Sequence, residues 1–195
     1  MAVHPQLPNA ITIARILCAP LFLWLLLADA GRGGGLRWVA AVVFIVAIAT
    51  DGVDGYIARR YDIVSDLGKL LDPIADKALT GVAFVGLSLL GELPWWVTIV
   101  VLVREIGITI YRFIVVSNHV LAAAWMGKLK TVAQAVALSI ALIPFAGLSD
   151  AAAWQATVWW AGVITMTLAV VLTIASGLDY VVSEVRAARR ARPAR

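Results

Sequence analysis

Residues 50–77 read TDGVDGYIARRYDIVSDLGKLLDPIADK, and four aspartates set the rhythm of this stretch. Asp51 and Asp54 stand i, i+3, whereas Asp72 and Asp76 stand i, i+4. On α-helices each pair projects from one face. A polar connection over 61–66 separates the pairs, and Ser65 is a plausible N-cap for the second helix. On both outer flanks the sequence turns apolar. The stretch therefore predicts two antiparallel neighbouring helices, joined by a short turn, with all four carboxylates converging at the end where they meet.

Working outward, the rest of the chain is apolar too. Of 195 residues, 62% are hydrophobic and 14% charged. A soluble domain is typically about half apolar and a quarter charged, so the balance points to the bilayer. The length suits about six spans of roughly 20 residues with short connections. We expect an all-α integral membrane protein with a short interfacial segment and then spans over 11–28, 36 to about 51, 68–90, 95–116, 130–146 and 154–182, the second helix continuing to 60 beyond the hydrocarbon. The whole of 1–195 reads as one membrane domain. Gly31 and Gly33 to Gly35 mark a flexible turn, and Trp95-Trp96 sit where an aromatic belt belongs. The lone Cys18 lies inside an apolar run, which excludes an intrachain disulfide and a cysteine metal cluster.

The formal charge is +4, and Arg186, Arg189, Arg190, Arg192 and Arg195 crowd a basic tail over 183–195. At the end of an apolar span this is positive-inside anchoring rather than a nucleic-acid site. Arg59, Arg60, Lys69, Lys128 and Lys130 fall on the same side as that tail. The loops of the other side hold Arg32 and Arg37, then Glu92, then Asp150. Counting places both termini and the aspartate end in the cytoplasm of a cell whose plasma membrane the chain crosses, with Arg32 and Arg37 dissenting.

Four clustered carboxylates at a membrane need a counter-charge, since each costs roughly 2.5–3.5 kcal/mol at a helix centre. Oxygen donors without His or Cys select a hard divalent cation, Mg²⁺ or Mn²⁺. Such ions commonly clamp phosphates. Gly55, Ala58 and Gly68 leave room for one, and Arg59 offers a guanidinium fork to its oxygens. An ion transporter is the rival of another class. It would set its ligands near the midplane on broken helices in repeated halves, and no repeat is visible here.

The pattern Asp-x-x-Asp-Gly-x-x-Ala-Arg, eight residues, then Gly-x-x-x-Asp-x-x-x-Asp resembles the signature of the CDP-alcohol phosphotransferases. Asp51, Asp54, Gly55, Ala58, Arg59, Gly68, Asp72 and Asp76 match it without departure. The resemblance implies a two-ion site on Asp51, Asp54, Asp72 and Asp76, with Asp76 as general base. It also implies a homodimer among membrane lipids. The donor, CDP-diacylglycerol, would be bound by Gly55, Ala58, Arg59, Ser65, Gly68, Asn9 and Thr12.

Further motifs resemble the glycerol-3-phosphate-using branch of that family. They are Leu7-Pro8-Asn9-x-x-Thr12-x-x-Arg15, Arg104-Glu105-Ile106 with Arg112, and Gly127-Lys128-x-Lys130-Thr131-x-x-Gln134. Arg104 lies several residues inside an apolar helix, where an Arg is a functional candidate or one half of an Arg104–Glu105 pair. With Arg112, Lys128 and Lys130 it forms a cationic pocket suited to an acceptor that carries its own phosphate. Glycerol-3-phosphate fits, and inositol phosphate is the alternative on charge alone. Phosphatidylglycerol is a third acceptor open to the family.

Overall fold

The computed structural model describes the backbone of residues 7–61, 66–114 and 124–191, and the side chains of 12–50, 75, 77–111, 126–145 and 147–186. All regular structure among them is helical. The order is α1 (Leu7–Asp29), α2 (Gly35–Tyr61), α3 (Asp66–Leu89), α4 (Trp95–Ile114), α5 (Ala124–Leu142), a 3₁₀ turn (Phe145–Leu148) and α6 (Ala152–Ala191). Helix α1 packs on α2 and α3, α5 packs on α6, and α4 leans on α3 and α6.

Sequence periodicity places α2 and α3 within about two residues. It sets α5 several residues too late at both ends. The helix stops at Leu142 because Pro144 follows, and the residue before a proline is driven out of the α region. It sets the end of α6 too early. That helix has 40 residues, about 60 Å of rise, and continues past 182 because Ala, Glu and Arg sustain a helix in water.

Two helices carry an apolar stretch of membrane length among the described residues, Thr12–Asp29 and Ala152–Arg186, and shorter ones run over Gly35–Thr50 and Lys77–Leu89. Around the bundle the exterior is apolar: Leu17, Val42, Val103, Ile164 and Leu178 are all more than half exposed. Seven of the eight tryptophans, Trp24, Trp38, Trp95, Trp96, Trp154, Trp159 and Trp160, are exposed at the helix ends remote from the aspartates. A ring of indoles there is what a membrane interface accommodates.

Small residues bring the helices together. A Cβ on Gly86 of α3 would stand 2.6 Å from a methyl of Leu26, so the α1–α3 contact depends on glycine there. Phe22 and Phe44 meet in the same core, ring centroids 5.5 Å apart, beside Phe84 and Leu138.

The tryptophan end is closed by a bolt of polar groups. Asp29, closing α1, accepts hydrogen bonds from the amides of Gly33 (2.9 Å), Gly34 (3.0 Å) and Arg37 (3.2 Å), and so caps α2. The buried Arg37 guanidinium makes a forked pair with Glu92 in the α3–α4 turn (2.7 and 2.5 Å). It also donates to the carbonyls of Leu142 and Ala141 at the end of α5, both at 2.9 Å. Of the two dissenting charges of the topology count, Arg37 is thus neutralised by Glu92.

Candidate active site

At the opposite end, α2 finishes and α3 begins. Asp51 and Asp54 fall in the last three turns of α2, and Asp72 and Asp76 in the first three turns of α3. Both helices run without interruption through these positions and touch one another. The expected helical spacing of each pair is therefore realised in the backbone. The side chains of Asp51, Asp54, Gly55, Ala58, Arg59, Gly68, Asp72 and Asp76 lie outside the described residues, as does that of Asn9, and so does Ser65 altogether. The donor set, four carboxylates on regular helices with no His or Cys in the segment, fits a hard divalent ion. No other group of three His, Cys, Asp or Glu that could hold a metal occurs among the described residues.

Helix α1 packs on both α2 and α3, and on it Thr12 and Arg15, about one turn apart, are both buried. Arg15 was visible in the sequence only as a motif position. Its burial on an otherwise apolar helix is what singles it out.

Immediately deeper along α3, next to Asp76, stands Lys77. Its ammonium pairs with Glu105 of α4, and so does that of Lys130 of α5. Arg104 donates to the same carboxylate (3.0 Å) and to the hydroxyl of Ser176 on α6 (2.9 Å). Glu105 and Lys130 are 5% and 2% exposed, so three cations, two of them partly exposed, meet on one buried carboxylate. Four helices contribute to this cluster. Beneath Lys130 on the same face of α5, Gln134 donates to Thr173 of α6 (2.9 Å) and ties those two helices together.

Of the four cations expected to form one pocket, the structure brings together Arg104 and Lys130. Lys128 is exposed on α5, and the side chain of Arg112 lies outside the described residues. The Arg104–Glu105 pair that the sequence also allowed is present, but it is one part of a larger cluster. Lys77 and Glu105 carry that cluster; sequence reasoning missed Lys77 and read Glu105 only as a motif position and a partner for Arg104. An intramembrane carboxylate is as costly as an intramembrane arginine, so Glu105 could have been found by the argument that found Arg104.

A groove of about 630 Å³ opens beside the cluster between α4 and α6. Its walls include Arg104, Gly107, Tyr111, Gly177 and Glu184. At its lip the Tyr111 hydroxyl donates to Glu184 (3.1 Å), and the Tyr111 and Tyr180 rings meet edge to face.

The profile of the CDP-alcohol phosphatidyltransferase family matches residues 5–176. A probable phosphatidylglycerophosphate synthase of Mycobacterium tuberculosis is 42% identical over 181 residues, covering 93% of this chain and 82% of the relative. The CDP-diacylglycerol–glycerol-3-phosphate 3-phosphatidyltransferase of Bacillus subtilis is 39% identical, with 90% of this chain and 93% of the relative covered. Its namesake in Escherichia coli K12 is 33% identical over 90% and 92% of the two chains.

Proposed function

The chain belongs to the CDP-alcohol phosphatidyltransferase family, and from that premise we propose that it transfers a phosphatidyl group from CDP-diacylglycerol to glycerol-3-phosphate. The products are phosphatidylglycerol phosphate and CMP. It is a membrane-bound transferase of phospholipid synthesis. The observation that carries the reading is the placement of two charged levels on one helix. The Asp72/Asp76 pair of α3 is followed at once by Lys77, which meets Arg104 and Lys130 on the buried Glu105.

The residue roles proposed are those that the family resemblance implies. Asp51, Asp54, Asp72 and Asp76 hold two divalent ions, Mg²⁺ or Mn²⁺, which supply Lewis-acid stabilisation to the donor's diphosphate. Gly55, Ala58 and Gly68 leave space beside the helices for that diphosphate, and Arg59 binds its oxygens. Asn9, Thr12 and Ser65 complete the donor site. Asp76 accepts the proton of the acceptor's primary hydroxyl. The freed oxygen bonds to the phosphorus bearing diacylglycerol while the bond from that phosphorus to CMP breaks. Arg104 and Lys130 bind the acceptor's own phosphate, with Arg112 and Lys128 lining the approach. A buried, charge-assisted contact of this kind contributes about 1.5–3 kcal/mol.

Six membrane spans, one per helix, put the aspartates near the cytoplasmic surface of the plasma membrane, with both termini on that side, in a homodimer. The deciding assay is CMP release from CDP-diacylglycerol by the purified protein, offered glycerol-3-phosphate, inositol phosphate or phosphatidylglycerol in turn. Turnover with glycerol-3-phosphate alone is expected, and preference for another acceptor would reassign the pocket. Orientation is checked by impermeant thiol labelling of intact cells in a Cys18→Ser background. Asp150→Cys should react and Arg192→Cys should not. Position 92 is unsuitable for this purpose, since its replacement would break the bolt with Arg37.

A further inference from the structure

Glu105 stands at the meeting of three helices and takes no part in the proposed chemistry. One of its carboxylate oxygens takes Arg104 and Lys130, and the other takes Lys77. Even leaving Lys77 aside, two positive charges face one negative charge. The Arg104 Nε is buried without a partner, and Lys130 spends one of its three donors among the described residues. A buried ion cluster built for stability alone would balance its charges and fill its donors. This one does neither.

The backbone geometry adds a second point. Helix α4 touches α3 and α6 but makes no close backbone contact with α5 among the described residues. The Glu105–Lys130 pair spans that gap with long side chains. Lysine stems are flexible, and like charges in a low-dielectric interior repel one another. Without a carboxylate between them, Lys77 and Lys130 would swing apart towards the nearest water. With it, both ammonium groups are gathered beside Arg104, immediately below Asp76.

We propose that Glu105 is the positioning residue of the acceptor subsite, gathering Lys77, Lys130 and Arg104 so that they bracket a phosphomonoester, and that Lys77 is a binding cation of that subsite. The inference rests on the proposal that Arg104 and Lys130 bind the acceptor's phosphate, and it names two residues that proposal lacks. A phosphomonoester carries a charge of about −1.5 to −2 near neutral pH, enough to offset the positive charge that Arg104 and Lys130 leave over on Glu105. A neutral alcohol would leave that surplus uncompensated. Glu105 thus favours acceptors that bring their own phosphate.

The test compares two replacements in the detergent-purified full chain. Glu105→Gln keeps the shape and removes the charge. Glu105→Asp keeps the charge and shortens the reach. The expected result for Glu105→Gln is an acceptor KM raised about ten- to a hundredfold, with donor KM within about threefold. Glu105→Asp should raise acceptor KM about three- to tenfold and, being closer to the parent, carries the test alone if the Gln variant does not fold. Both KM values rising together would make Glu105 a structural residue and overturn the role. An unchanged acceptor KM in either folded variant would overturn it too. A lowered one would make Glu105 a competitor of the phosphate, with the same consequence. Lys130→Met separates this inference from the reading beneath it. If Lys130→Met raises acceptor KM and the Glu105 variants do not, only the positioning role fails. If Lys130→Met has no effect, the phosphate subsite itself is misplaced.

Discussion

The Arg37–Glu92 pair at one end of the bundle, and Lys77, Arg104 and Lys130 around Glu105 deeper towards the other, are built from the same residue types in opposite electrostatic states. In the first, every side-chain donor of Arg37 that the structure describes meets Glu92 or a helix-end carbonyl, and the pair is neutral. In the second, positive charge exceeds negative and a guanidinium nitrogen is left over. Burial alone does not separate them, since Arg37 and Lys130 are both nearly inaccessible. Charge balance does. A balanced cluster has spent its interactions on holding helices, whereas an unbalanced one keeps some for a ligand.

The largest expected effect concerns the aspartate level, above the unbalanced cluster. Asp72→Asn keeps the size of the side chain and removes a ligand charge. Turnover should fall about a thousandfold or more, with the melting temperature in detergent unchanged. Excess EDTA should abolish parent activity to a similar extent. Full activity in either experiment would remove the two-ion site from the reading.

Next is the balanced cluster. Arg37→Met leaves Glu92 without its partner and two carbonyls of α5 without their donor. Glu92 is partly solvated, so the cost should sit near the low end for a broken buried pair, about 3 kcal/mol. Apparent melting temperature should fall by about 6–12 °C, while kcat/KM per folded molecule stays within about twofold of the parent. Lys130→Met in the unbalanced cluster should reverse that pattern. Acceptor KM should rise about ten- to a hundredfold, and stability should hold or increase, because a surplus buried cation has been removed. If both variants lose stability equally, charge balance does not distinguish bolt from site.

The contrast was only half legible in the sequence. The aspartate spacing and the apolar flanks made α2 and α3 legible as helices, because each pair sits on one face only at a helical period. Arg104 stood out as a cation in an apolar run, and Lys130 as a motif position. Glu105 did not stand out as a charge, since its neighbour Arg104 offers a local partner, and nothing local shows that lysines from α3 and α5 converge on it. Lys77 was hidden beside Asp76 for the same reason. Arg37 counted against the topology because its partner lies 55 residues away in sequence. Ends of elements were lost where a proline acts beyond the apolar run, as at Pro144, or where a helix outlasts the membrane, as α6 does. Pairings distant in sequence decide the electrostatics, and periodicity carries no information about them.

The smallest effect tests the comparison inside one short segment. Lys128 and Lys130 are two residues apart on α5, so their side chains leave the helix about 200° apart. One is exposed and the other is sealed against Glu105. An exposed ammonium acts on an anionic acceptor through the solvent, and at about 0.1 M salt such an influence is screened beyond about 10 Å. Lys128→Ala should therefore lower kcat/KM for glycerol-3-phosphate only about two- to threefold at low salt, through slower encounter, and the deficit should vanish as salt is raised. The loss in Lys130→Met should persist at every salt concentration, because that site excludes the ions that screen. A Lys128 effect as large as that of Lys130 and equally indifferent to salt would place Lys128 inside the pocket. The acceptor subsite would then extend to the outer face of α5.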